Sequence, residues 1–183
     1  MEYMDLKENY EEITTKYPNY FFMQKIDIDA EEAISHIELL SETNPFKYFW
    51  YRPHATIMIP SNEEWASESE KYIKDVINNI MKPLTNSFLT KIGIKEFSPR
   101  KNIIISRMGT GKEHPPHWDS ADTYVMEVYL NSVVGGDLIF PELGIKFSPE
   151  PGMFIIFKGA LHHGVSELIE NERYSFGSGY IFN

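Results

Sequence analysis

Hydrophobic positions recur along this chain with two different periods, and the change falls near residue 100. In DAEEAISHIELLSE, residues 29–42, Ala33, Ile34, Ile37 and Leu40 stand at helical spacing, and Asp29 is placed to cap the first turn. In the stretch from Pro60 to Pro83, Trp65, Tyr72, Ile73, Val76, Ile77 and Ile80 form a second apolar stripe. Ser61 and Glu64 have the spacing of a capping box at its start, and Pro83 is expected to stop it. LTNSFLTKI reads as a further short helix, while YFFMQKI (20–26) and HATIMI (54–59) read as strands.

Past residue 100 the period falls to two. NIIISRM (102–108) is rich in β-branched residues, and TYVMEVYL (123–130) sets Tyr124, Met126, Val128 and Leu130 against Val125, Glu127 and Tyr129. DLIF, GIKF, GMFIIF and RYSFGSGYIF follow, cut by glycine and proline. Short strands at this spacing predict a sandwich, barrel or jelly roll. The expected fold class is mostly β with α (α+β), its N-terminal helices packed on one face of the β unit. Residues 1–183 are expected to form one domain, with 1–100 as helical support and outer strands and 101–183 as the core.

Composition narrows the function classes. The 183 residues carry a net charge of -10, which argues against a nucleic-acid footprint and against an anionic membrane surface. There is no cysteine, so neither disulfides nor thiolate-held metals enter. The acidic start lacks the basic and apolar pattern of a signal peptide, and no apolar run is long enough for a membrane span. A cytoplasmic location is the expectation.

The candidate chemistry begins at HPPHWDSAD, residues 114–122. His117 and Asp119 are two apart, so in or just beyond a strand one imidazole and one carboxylate can converge on one ion. LHHGVSEL (161–168) offers a further imidazole from His162 or His163, only one of which can face the same way. Two imidazoles and a carboxylate on one face of an octahedron suit non-haem Fe(II), although the same donors could hold zinc for hydrolysis. Ten residues after His163, Arg173 lies on an apparent core strand with Ser175 on the same face. A planar guanidinium there suits a carboxylate bound through two hydrogen bonds, with the Ser175 hydroxyl as a third donor. Arg107 is a weaker alternative for that clamp.

These residues fall into a larger ordered pattern. HWD, VYLN, GGDLIFP, SPEPGMFIIF, HGV and RYS follow one another between residues 109 and 181. In this order they resemble the double-stranded β-helix (jelly roll) core of the 2-oxoglutarate- and Fe(II)-dependent oxygenases, in particular the prolyl-4-hydroxylase-like branch. The resemblance implies that His117, Asp119 and His163 are the metal ligands and the catalytic centre, with His163 chosen over His162 by the HxV context. It implies that Arg173, assisted by Ser175, binds the far carboxylate of 2-oxoglutarate. Relatives carry a co-substrate tyrosine where this chain has Met108, and Tyr124 and Tyr129 are the candidates to replace it.

The implied cofactors are Fe(II), 2-oxoglutarate as co-substrate and ascorbate as reductant, and the implied partners are dioxygen and a peptide, protein or small-molecule substrate. The implied reaction is hydroxylation of an aliphatic C–H, on a prolyl residue in a peptide or protein, with release of succinate and CO2. A hydroxylase of a free amino acid or small metabolite is the alternative, and a zinc hydrolase or a non-catalytic jelly-roll module is the reading from another class. Nucleic acid is not expected as a partner, because RYSFGSGY lacks the second downstream arginine of the demethylases on this fold. Gly135 and Gly136 are read as a turn needing positive φ, Asp122 and Asp137 as turn or cap residues, and His36 and His54 as residues without chemistry.

Overall fold

The computed structural model describes residues 3–5, 14–48, 54–61 and 64–182. Of the acidic start, residues 1–2 and 6–13 lie outside this set, whereas Met4–Asp5 forms a short strand, β1. The helical half then runs β2 (Phe21–Lys25), α1 (Ala30–Thr43), β3 (Lys47–Tyr48), β4 (Ala55–Pro60), α2 (Glu68–Val76) and α3 (Lys82–Lys91). The strand half holds β5 (Phe97–Pro99), β6 (Asn102–Met108), β7 (His114–His117), β8 (Thr123–Tyr129), β9 (Val134–Gly135) and β10 (Leu138–Phe140). It ends with β11 (Ile145–Phe147), β12 (Met153–Lys158), β13 (His163–Val165), β14 (Leu168–Glu170) and β15 (Arg173–Phe182).

Asp29 caps α1 as expected, its side chain accepting the Glu32 amide at 2.9 Å. The second helical stretch departs from expectation in two ways. Ser67, not Ser61, is the cap of α2, accepting the Glu70 amide, while the Ser61 hydroxyl donates to the Arg100 and Lys101 carbonyls. Trp65 is therefore outside the helix and exposed. Pro83 does not stop the helix either. A π-helical turn over Ile77–Met81 shifts the carbonyl ladder just ahead of it, so Pro83 stands in the first turn of α3, where its missing N–H is best tolerated.

Among the described residues the strands form two facing sheets and a small pair. The larger has eight strands in the order β2-β12-β8-β15-β6-β4-β3, with β5 beside β15. The smaller runs β1-β11-β10-β13-β7, and β14 pairs with β9. This is the double-stranded β-helix. The larger sheet separates two apolar layers by strand parity. Met126, Val128, Phe154, Ile156, Phe176 and Tyr180 face outward, against Ala33, Ile37, Leu40, Ile73 and Phe88 of the helices. Tyr129, Ile155 and Phe157 face inward, against Phe140 and Phe147 of the smaller sheet. Each such side chain contributes about 1.5–3 kcal/mol when fully buried. The helices thus cover one face, as the sequence pattern predicts. No helix among the described residues is long and apolar enough to cross a membrane.

Gly135 (φ 74°) and Gly136 (φ 63°) make the left-handed turn expected of them. At Gly135 a Cβ would also lie 2.2 Å from the Glu167 carbonyl oxygen. Two substitutions check this reading by thermal unfolding. Asp29→Ala should cost about 1 kcal/mol through the lost cap. Gly135→Ala should cost more, because backbone strain and a backbone clash act together.

Candidate active site

A cavity of about 510 Å³ opens between the two sheets, and His117, Asp119, His163 and Arg173 all line it. Its parts are set by local backbone chemistry. β7 carries Pro115 and Pro116 and pairs only with β13, at the edge of the smaller sheet, where missing amides are tolerated. That pairing sets His117 directly opposite His163, with ring centroids 4.5 Å apart. Each imidazole is fixed by a backbone carbonyl: His117 Nδ1 bonds Pro115 at 3.0 Å, and His163 Nδ1 bonds Leu161 at 2.8 Å. A carbonyl only accepts, so Nδ1 carries the proton on both rings and Nε2 is left as the lone-pair donor. Burial, ahead of the other influences, lowers the His163 pKa and favours its neutral form.

Asp119 lies just past β7, its amide bonded to the Gly159 carbonyl at 2.9 Å. Gly159 has to be bare there, since a Cβ would sit 2.9 Å from the Asp119 Cβ and 2.3 Å from Thr123 Oγ1. His162 points elsewhere and stacks on the exposed Trp118 at 4.1 Å. The three expected ligands share one cavity wall. Among the described residues, however, no group of three or more His, Cys, Asp or Glu side chains is drawn together closely enough to hold a metal ion.

Arg173 is only 4% exposed. One Nη1–H donates to the Gly136 carbonyl at 2.9 Å, the guanidinium lies 5.3 Å from the Tyr129 ring centroid, and Nε has no partner. No carboxylate among the described residues lies within ion-pair distance of it. A buried, uncompensated cation beside a cavity is costly on its own, and its free N–H suits an anion entering that cavity. Arg107, the weaker alternative, is outside: it pairs with Glu38 at 3.5 Å and covers the Phe46 ring.

The remaining expected residues are rearranged. Ser175 is fully buried on the Arg173 face of β15, but its hydroxyl donates to Glu127 at 2.6 Å, so its one proton is already committed. Tyr129 also donates to Glu127, at 3.2 Å, and burial together with that carboxylate raises its pKa well above the usual value. Tyr124 is a correction. Strand parity puts it on the helix side, against Phe88 and Phe182, with its hydroxyl on the Asn19 carbonyl, away from the cavity. The residue that sequence reasoning missed is Glu127, which lines the cavity. Its signal was available: it is the one charged residue of TYVMEVYL and shares the inward parity of Tyr129.

His54, given no chemistry from sequence, lines the same cavity, as does His114, whose ring centroid lies 4.1 Å from that of His117. The Nε2 lone pairs and the Asp119 carboxylate are a nitrogen–oxygen donor set suited to Fe(II), and the unsatisfied Arg173 suits a dicarboxylate.

No protein-family model matches the chain, and no curated protein is similar to it in sequence. Solved structures are similar in fold. A 2OG-Fe(II) oxygenase family oxidoreductase from Burkholderia pseudomallei superposes with a TM-score of 0.73 at 18% identity, covering 99% of this chain and 95% of the other. The viral collagen prolyl hydroxylase of Paramecium bursaria Chlorella virus-1, in its 2OG complex, gives 0.67 at 16%, covering 90% and 97%. HygX from Streptomyces hygroscopicus, with nickel and 2-oxoglutarate bound, gives 0.63 at 12%, covering 94% and 87%. The fold is the one shared by the 2OG-Fe(II) oxygenases.

The cost of burying Arg173 yields a prediction. Arg173→Met removes an unsatisfied cation while keeping most of its volume, so the ligand-free variant should melt no lower than the parent and gain on the order of 1 kcal/mol. Added 2-oxoglutarate should raise the melting temperature of the parent and leave that of the variant unmoved.

Proposed function

We propose that this protein is a 2-oxoglutarate- and Fe(II)-dependent oxygenase that hydroxylates an aliphatic C–H. The observation that carries the reading is a buried, uncompensated Arg173 in the same cavity as His117, Asp119 and His163. A zinc hydrolase needs no such cation, and neither does a non-catalytic binding module. The fold shared with the oxygenases supports the same reading. His117, Asp119 and His163 are the residues that would hold Fe(II), and Arg173 is the one that would hold the far carboxylate of 2-oxoglutarate. When bound, iron with its co-substrate supplies the oxidising power, with succinate and CO2 as by-products and ascorbate as a reductant.

The chain's own residues supply geometry. The Pro115 and Leu161 carbonyls hold the two imidazoles in the tautomer that presents Nε2. Tyr129 beneath the Arg173 guanidinium, and the Gly136 carbonyl beside it, fix the direction in which that cation can bind. Phe157, Leu138 and Val165 give the cavity wall its apolar part. Glu127 holds the Ser175 and Tyr129 hydroxyls, so a co-substrate reaches Ser175 only by competing with a carboxylate that already accepts its proton. The substrate favoured by the motif resemblance is a prolyl residue of a peptide or protein. A free amino acid is the second reading, favoured by a second arginine, Arg100, in the cavity wall.

Purified protein with Fe(II), ascorbate, 2-oxoglutarate and air is expected to form succinate slowly without a prime substrate. A mass-spectrometric screen of proline-containing peptides and free amino acids should then find an added oxygen. Arg173→Ala should weaken 2-oxoglutarate by roughly tenfold or more while metal is retained. Tight zinc binding with no 2-oxoglutarate binding would favour the hydrolase instead.

A further inference from the structure

Arg100 plays no part in the proposed reaction, yet it lines the same cavity as His117, Asp119 and Glu127. Its backbone is fixed at both ends: the amide donates to Gly179 at 2.8 Å, and the carbonyl accepts the Ser61 hydroxyl at 2.9 Å. Its side chain lies across β15, with Cδ 3.3 Å and Nε 3.5 Å from the place a Cβ on Gly179 would occupy. Arg100 is half-buried, and no described carboxylate is within ion-pair distance of it. The chain as a whole carries a charge of -10, so acids are plentiful. Among the described residues, two arginines of one cavity therefore have no acid partner, a local arrangement and not a shortage of acids in the chain. Asn102 stands in the wall nearby and adds an amide donor.

The floor beside Arg100 is GSG, residues 177–179, a motif the proposed reaction leaves unexplained. Gly177 pairs directly with Glu127, and Gly179 lies under Arg100. Two residues of strand cover roughly 7 Å, with no side chain on that face between them. Glu127 accepts from Ser175 and Tyr129, and a carboxylate has about four acceptor positions, so room for two more donors remains. An α-amino acid with a hydrogen bond at each end bridges groups roughly 8–9 Å apart, so it fits over a two-residue step of this size.

We propose that Arg100 is the carboxylate-binding residue of the substrate subsite, and that the prime substrate is a small amino acid lying over Gly177–Gly179 with its amine toward Glu127. The assignment rests on the oxygenase reading and chooses its free amino acid alternative over a residue within a peptide.

The test uses free L-amino acids including L-proline, their C-terminal amides, and a proline peptide blocked at both ends. Each is scored by ligand-induced melting shift and by stimulation of 2-oxoglutarate turnover. At least one free acid should stimulate turnover and exceed its own amide by roughly tenfold or more in apparent affinity. In Arg100→Ala that acid-to-amide ratio should fall to about one, and Arg100→Lys should restore part of it. Equal response to acids and amides, preference for the blocked peptide, no response to any free acid, or an unchanged ratio in Arg100→Ala would each overturn the assignment. If the parent neither binds 2-oxoglutarate nor makes succinate, the oxygenase reading fails by itself. The acid-to-amide ratio in melting shift would still report on Arg100.

Discussion

Alternation along two neighbouring strands decides where the chemistry of this protein can be. In β8 and β15 alternate side chains pack beneath the helices, and the others turn toward the smaller sheet. Arg173, Ser175, Glu127 and Tyr129 come together because each occupies an inward position, and the β8–β15 register sets Ser175 opposite Tyr129 and Gly177 opposite Glu127. A slip of one residue would bring Tyr174, Phe176 and Met126 inward and push the arginine into the apolar layer beneath the helices. The apolar packing on both sides of the sheet therefore also holds the polar cluster in register.

That alternation also explains what could be read beforehand. The strands, the outward helices and the inward row of Arg173 and Ser175 follow from period and motif order, both local properties of the chain. Tyr124 was open to correction by the same rule, since it differs in parity from Tyr129. The partner of Ser175 was harder to see. Its distance from Glu127 depends on how β8 and β15 pair, and no local pattern reports on that. The helix from Glu68 onward shows a different limit. Pro83 is a reliable breaker only where the preceding carbonyl ladder is regular, and the π turn at Ile77–Met81 removes that condition. Trp65 followed the apolar spacing of a helix that begins three residues later.

The cavity joins two electrostatic regimes. At its inner end Arg173 is shut away from water, with a backbone carbonyl and an aromatic face for company, where a bound anion gains most. At its outer end Arg100 is half-exposed and partly screened, better suited to selecting a ligand than to holding one tightly. Glu127 sits between the two and keeps both hydroxyls of its cluster oriented. Its carboxylate also opposes a second negative charge near Ser175, so the far carboxylate of a dianion has to be secured by Arg173.

Backbone amides alternate sides along a strand, so the adjacent Pro115 and Pro116 of β7 each delete one N–H, one from either flank. The flank that faces solvent cannot offer an unbroken ladder to another extended chain. A polypeptide approaching the rim next to His117 is therefore denied the main-chain zipper by which sheets commonly annex a visiting strand, and a visitor there must be gripped through its own functional groups.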